Sequence, residues 1–177
     1  MSRSIPIINT ASLTLRGMRA EDFSSYAKMW SDPEITAQLE GDPWSRAKSW
    51  QAFLEVTGHW QITGFGHWMV QLHRVPAVVG QFGFSFNNHG LGEDFDIYPE
   101  AKWVLSPAEH GAGYGYEAAK AAHDWFDRIV KGPLVCRVAP EHDAALHLAA
   151  RMGYAPLRES EYGGQRIQLL VRKRPPE

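Results

Sequence analysis

The stretch Trp103-Val104-Leu105-Ser106-Pro107, continued after two residues by His110-Gly111-Ala112-Gly113-Tyr114-Gly115-Tyr116-Glu117-Ala118, decides how the chain is read. A short apolar strand passes through a few loop residues into three alternating glycines, and these open directly onto a helical pattern. Glycine lets the backbone approach a ligand without side-chain obstruction. The first N–H groups of a helix lack intrahelical partners, and the positive end of its dipole faces whatever lies beyond them. The stretch therefore predicts an anion cradle built from His110, Gly111, Ala112, Gly113, Tyr114 and Gly115, and a phosphate-bearing ligand. The competing reading is a glycine-rich turn with no ligand, since glycines are also the ordinary residues of tight turns.

Two nucleotide motifs do not fit. A dinucleotide fingerprint needs its third glycine where Tyr116 stands and an earlier place in a βαβ series. A phosphate loop of the nucleotide-hydrolase kind ends Gly-Lys-Ser/Thr, whereas Gly115 is followed by Tyr116 and Glu117.

Working outward, the helix that starts at Tyr114 places Ala118, Ala121, Ala122, Trp125, Phe126 and Ile129 on its inner face and stops at Gly132-Pro133. Upstream, residues 93–97 and 100–105 read as one strand interrupted at Tyr98-Pro99. Before it, 65–72 and 78–86 form a hairpin in which Phe82, Phe84 and Phe86 alternate with Gln81, Gly83 and Ser85. A first strand over 13–19 leads into a helix with Phe23, Tyr26, Ala27 and Trp30 at i, i+3, i+4, i+7, ended before Asp32-Pro33. Ser45 caps a second helix running to about Trp60. Downstream come a strand over 134–139, a helix over 143–152 closed by Gly153, and a hairpin pairing 154–159 with 166–172 across Gly163-Gly164. The sum is an α/β chain of the α+β kind: about seven strands in a mostly antiparallel mixed sheet, about four helices, and one domain over 1–177.

Composition bounds the function. The chain has 177 residues, 44% of them hydrophobic, with 7 Trp, 6 Tyr and 8 Phe, enough for a sizeable core. A net charge of -2 offers no general attraction for nucleic acid or anionic lipid, and the basic run Arg172-Lys173-Arg174 reads as a solvated strand end. No stretch approaches the roughly 18 apolar residues of a membrane span, and the N-terminus lacks a secretory pattern. The lone Cys136 lies in an apolar run, which reads as a buried thiol in a reducing, cytoplasmic setting. His142 and His147, five apart, do not repeat on one helix face as metal ligands do, so no metal is expected.

Taken together, the order of elements resembles the GNAT superfamily of acyl-CoA N-acyltransferases. Met152-Gly153-Tyr154 at the end of the short helix belongs to that order, and Leu13-Thr14-Leu15-Arg16, Ser31-Asp32-Pro33-Glu34, Gly64-Phe65-Gly66, and Gly111-Ala112-Gly113-Tyr114 with Glu117-Ala118 are closest to its ribosomal-protein N-terminal acetyltransferase-like branch. The resemblance implies a sheet splayed between the fourth and fifth strands, and acetyl-CoA as co-substrate. It places the pyrophosphate on the backbone of residues 110–115 and the pantetheine arm on Trp103, Val104 and Leu105. The Leu105 N–H would face the thioester carbonyl, where a donor favours the oxyanion.

Where the family commonly has an asparagine after Pro-Glu, and a serine or alanine three positions on, this chain has His142 and Ala145. Ala149 stands where many relatives carry a tyrosine acid, which leaves His142, Tyr154 and Tyr162 as candidates for that role. Glu100 matches the glutamate that often helps deprotonate the amine; its other reading is a strand-end carboxylate in solvent. Glu40, Asp42, Glu93, Asp94 and Asp96 are either an acceptor-attracting cluster or ordinary surface, and Trp44, Phe65, His67 and Trp68 either line the acceptor pocket or belong to the core. The implied function is acetyl transfer to a primary amine, on a small molecule or a protein N-terminus, by a monomer or homodimer. The alternative is a non-catalytic acyl-CoA-binding sensor.

Overall fold

A computed structural model describes residues 4–37 and 41–175. Eight strands form one sheet in the order β1-β2-β3-β4-β5-β6-β8-β7: β1 (Ile8–Asn9), β2 (Leu13–Arg16), β3 (His67–Leu72), β4 (Val78–Ser85), β5 (Glu100–Leu105), β6 (Leu134–Val138), β7 (Ala155–Tyr162) and β8 (Gln165–Arg172). Every neighbouring pair is antiparallel except β5 and β6. The strand beyond the expected seven is β1, whose two residues are too few to show a period. Among the described residues six α-helices accompany the sheet: α1 (Phe23–Trp30), α2 (Pro33–Thr36), α3 (Arg46–Thr63), α4 (Glu93–Asp96), α5 (Tyr114–Ile129) and α6 (Asp143–Arg151). Four of them are longer than a single turn. Ser45 caps α3, accepting from the Lys48 N–H at 3.1 Å.

Period-two alternation assigns the two faces. Leu13, Leu15, Trp68, Val70, Phe82, Phe84, Ala101 and Leu105 point to one side, where Ala118, Ala119, Ala122 and Phe126 of α5 and Ala149 of α6 cover them. On the other side Met69, Val78 and Val104 meet Tyr26, Met29 and Trp30 of α1 together with Trp44 and Phe53. Val135 and Leu169 on that side are covered by Leu91 and Phe95.

Two expectations are corrected. Residues 93–97 are not half of an interrupted strand: 93–96 form α4, because the Asp96 carboxylate turns back to accept the N–H groups of Leu91 (2.7 Å) and Gly92 (3.0 Å). Such local side-chain closure competes with strand pairing. In α5, His123 and Ala119 are buried, while Ile129 is 49% exposed at the end of the helix.

Candidate functional site

The single parallel contact in the sheet creates the site. β5 and β6 pair only at Glu100 and Val135, with the Val135 N–H on the Pro99 C=O at 3.0 Å. Beyond that point the strands diverge. The fork between them continues into a groove of about 640 Å³ bounded by β5, by Arg137 and Val138 of β6, by α6 and by the glycine turn.

Strand register decides what the fork presents. Gln81 pairs with Val104 and Gly83 with Lys102, and the Ser106 N–H reaches the Val79 C=O at 2.8 Å. In an antiparallel ladder, alternate residues turn their N–H and C=O to opposite sides. Trp103 and Leu105 therefore direct their main chain into the fork, while Val104, expected to join them there, turns its own toward β4. The Leu105 C=O is taken by His110, whose Nε2 donates to it at 2.8 Å, which leaves the Leu105 N–H and both Trp103 groups facing the groove.

That hydrogen bond also anchors the cradle. Gly111 and Gly113 have φ of +84° and +82°, left-handed conformations that disfavour other residues. Among the described residues, no main-chain hydrogen bond engages the N–H groups of residues 111–116; the first helical one runs from Glu117 to the Gly113 C=O at 3.1 Å. His110, Gly111, Gly113, Tyr114, Gly115 and Tyr116 line the groove, and Ala112 lies exposed between the two left-handed glycines. Arg151 stacks its guanidinium over Tyr116 at 3.6 Å, so a positive charge flanks the donors without occupying them.

His142 lines the groove as the N-cap of α6. Its Nδ1 accepts the Ala145 N–H at 3.0 Å, so in the neutral ring the proton sits on Nε2. Ala145 thus offers the groove its methyl group rather than a donor. Burial and then nearby His110 lower the His142 pKa, which favours this neutral form. The imidazole caps the helix with one nitrogen, as an amide oxygen would, and keeps an N–H on the other. His142→Ala should lose about 1 kcal/mol of stability and His142→Asn should retain it. Equal losses in thermal denaturation would deny the cap its part.

At the foot of the fork, where Glu100 and Arg137 reach the groove from the α1 side of the sheet, lies a network that no sequence spacing announces. Glu100 is 4% exposed, so the solvent reading of this residue is wrong. Its Oε1 accepts from Arg137 Nε (2.7 Å), and its Oε2 accepts from His89 Nε2 and Asn87 Nδ2 (both 2.8 Å). Burial alone would raise its pKa, but the hydrogen bond from His89 and the charge of Arg137 outweigh burial and hold it at about 2. Arg137 lies over the Tyr162 ring at 4.7 Å, and Asn87 continues through Ser85 to His67, Gln81 and Trp30. His67, neutral because burial and then Lys102 lower its pKa to about 3, holds Ser85 and Gln81 together. Asn87, His89 and Arg137 come from a polar turn and the middle of a strand, and no spacing links them to Glu100.

The remaining candidates sort by burial. Tyr154 gives its hydroxyl to His123 Nε2 at 2.9 Å inside the core, away from the groove, and Tyr162 approaches His89 Nδ1 at 3.3 Å. Phe65, Trp68 and His67 are interior, and Trp44 stacks on Trp30 at 4.1 Å. Of the acidic cluster, the described members Asp42, Glu93, Asp94 and Asp96 do not line the groove: Asp94 pairs with Arg158 and Asp96 serves backbone donors. Glu40 lies outside the described residues. Among the described residues, no group of three or more His, Cys, Asp or Glu could hold a metal, and no helix is long and apolar enough to cross a membrane.

Comparison with known proteins adds three likenesses to a family match. Residues 12–155 match the family described as acetyltransferase (GNAT) domain. An uncharacterised N-acetyltransferase, p20, of Bacillus licheniformis is 22% identical over 147 residues, spanning 82% of this chain and 80% of that protein. The crystal structure of an acetyltransferase from Agrobacterium tumefaciens str. C58 superposes with a TM-score of 0.81 at 26% identity, covering 98% of both chains. RimL, a ribosomal L7/L12 alpha-N-protein acetyltransferase in complex with coenzyme A, superposes with a TM-score of 0.76 at 12% identity, covering 95% of this chain and 98% of that one.

Proposed function

The chain belongs to the acetyltransferase (GNAT) domain family, and on that premise we propose that its fork and cradle bind acetyl-CoA and that the acetyl group passes directly to a primary amine, on a small molecule or a protein N-terminus. The observation that carries this reading is the continuity of two sets of main-chain groups. The N–H groups of 111–116 open onto the same groove as the Trp103 and Leu105 backbone. A diphosphate needs convergent donors, and a helix start between left-handed glycines supplies them without a dedicated cation. The amides of a pantetheine arm match the polar edge of β5, as an added strand would. RimL, whose structure contains coenzyme A, shares this fold.

In this arrangement the Leu105 N–H stabilises negative charge developing on the thioester oxygen. His142 offers Nε2–H to the coenzyme arm, and the apolar Ala145 and Leu148 keep water from the fork. Glu100 enters as a fixed anion at the foot of the fork, holding β5 to Arg137 of β6. A thiol of pKa about 8.5 leaves tolerably as thiolate, so the burial of Tyr154 and the alanine at position 149 do not prevent turnover.

A thiol-release assay decides between transferase and sensor. Acetyl-CoA with a panel of amines and peptides should release thiol faster than acetyl-CoA with the protein alone. Tight coenzyme binding with no acceleration by any acceptor would leave the sensor reading standing.

A further inference from the structure

The outer face of α3 takes no part in the groove, which no α3 residue lines. Between Ser49 and Thr63 the only acid or strong base is Glu55, whereas the solvent side of a surface helix is ordinarily charged. Trp50, Leu54, Gly58 and Ile62 follow one another at i, i+4, i+8 and i+12 and form one ridge along the helix. Its large members are open to solvent, Trp50 at 45%, Leu54 at 52% and Ile62 at 82%. Gly58 interrupts the ridge in the interior of an 18-residue helix. Glycine there costs stability relative to alanine. Yet its backbone is not left-handed, and among the described residues no atom lies within 4 Å of where a Cβ would stand. A single copy of the chain therefore needs no glycine at 58. A second helix crossing α3 at that notch does, because the missing side chain lets two backbones approach.

We propose that this face binds a second copy of the chain, α3 against α3 in an antiparallel two-fold contact centred on Gly58. The spacing is self-complementary. Leu54 and Ile62 stand four residues to either side of the glycine, so the two-fold sets Leu54 on the partner's Ile62 and Ile62 on the partner's Leu54, with notch facing notch where the ridges cross. The charges agree. Glu55, three residues before Gly58, falls beside the partner's Gln61, three residues after it, so no like charges meet. Arg46 and Lys48 at the start of each helix lie toward the negative pole of the other. His59 is engaged inward, its ring on the Phe65 C=O and the Phe86 N–H. An anionic membrane is a poorer match, since the face carries no Lys or Arg between 49 and 63. One crossed helix pair buries less than the roughly 1,200 Å² at which standard interfaces begin, so association falls in the micromolar range.

Sedimentation velocity on the full chain over about 1 to 300 µM should show the mass rise from one chain to two. Leu54→Glu and Ile62→Glu, each at an exposed position, should weaken association at least about tenfold by pressing a carboxylate onto apolar surface, while the dilute chain melts where the wild type does. Gly58→Leu fills both notches; it should abolish the dimer and yet raise Tm, leucine being the better helix former. Leu54→Lys combined with Ile62→Glu sets each lysine against the partner's glutamate and should restore the association that either change alone removes. Gly58→Cys should give a disulfide-linked dimer on mild oxidation, since Cα atoms at the crossing come within disulfide reach. Ala47→Cys, about three turns away, should not, and the buried Cys136 stays out of the exchange. A single-chain mass throughout the range, or a dimer indifferent to Gly58→Leu and Ile62→Glu, would overturn the proposal. So would a Lys–Glu pair that restores nothing, or a chain that stays single but binds anionic vesicles through Ile62. None of these readouts uses coenzyme or acceptor, so they stand apart from acetyl transfer.

Discussion

Gly113→Glu should abolish coenzyme A binding, weakening it at least about 100-fold, or about 2.7 kcal/mol, while the chain stays folded. Gly113 caps α5 with φ 82° and ψ 0°, and nothing lies within 4 Å of where a Cβ would stand. The first carbon of the new side chain therefore meets no atom of the protein. The left-handed backbone disfavours any L-residue by about 1–2 kcal/mol, which lowers Tm by about 2 to 8 °C in a chain of this size. The larger effect falls on the ligand, because the carboxylate competes for the N–H groups of 111–116 and repels a diphosphate from the positive end of the helix. Gly113→Ala, with the same backbone strain and no charge, should lose much less affinity. Titration calorimetry on both variants separates strain from charge, and an unchanged Kd for Gly113→Glu would remove the cradle.

Glu100→Gln should destabilise the chain by about 3 kcal/mol or more, because it removes the buried carboxylate that faces the largely enclosed Arg137 guanidinium. Replacing Arg137 by Met in the same chain should recover a large part of that loss, since removing both members of a buried pair is far milder than removing one. The pH dependence follows from the direction of the shift. The Glu100 carboxyl is held at about 2 against an ordinary 4.5, so its contribution is complete above pH 4.5 and is lost as pH falls toward 2. By linkage it amounts to about 3 kcal/mol. Two neutral interior histidines act at higher pH: burial lowers His67 to about 3 and His123 to about 4 from 6.5. Their stabilisation is complete above pH 6.5 and declines as the medium acidifies. Urea unfolding from pH 7 to 3 should show both phases in the wild type, with the lower one missing in Glu100→Gln. Parallel curves below pH 4.5 would contradict the assignment.

The backbone geometry of the glycine turn was legible in sequence because it depends on neighbours along the chain. A strand, a short loop, glycines and a helix start follow one another within sixteen residues from Trp103 to Ala118, and left-handed glycine and free helical N–H groups are local properties. The alternation of Phe82 and Phe84 likewise announced the face they share, but not that β4 is buried on both faces from Val78 to Phe84 nor that Phe86 is exposed. The α4 turn was not legible, since acidic and aromatic residues at 93–97 satisfy a strand period until Asp96 is seen bonding back to Leu91 and Gly92. The expectation that Val104 shares the fork with its neighbours failed for a different reason. The element was right, but the direction of each peptide group depends on which residue of β4 it faces.

From its residues alone the chain determined a mixed sheet and a row of backbone donors at the start of the helix that follows its central strands; the opening between two particular strands came only with the family resemblance. Periodicity, turn chemistry and helix termini act over a few residues and are written in order. Tertiary structure alone decided that Glu100 is a buried anion. Its partners Asn87, His89 and Arg137 arrive from the loop after β4 and from β6, and a carboxylate's charge state depends on the donors and water that packing leaves around it.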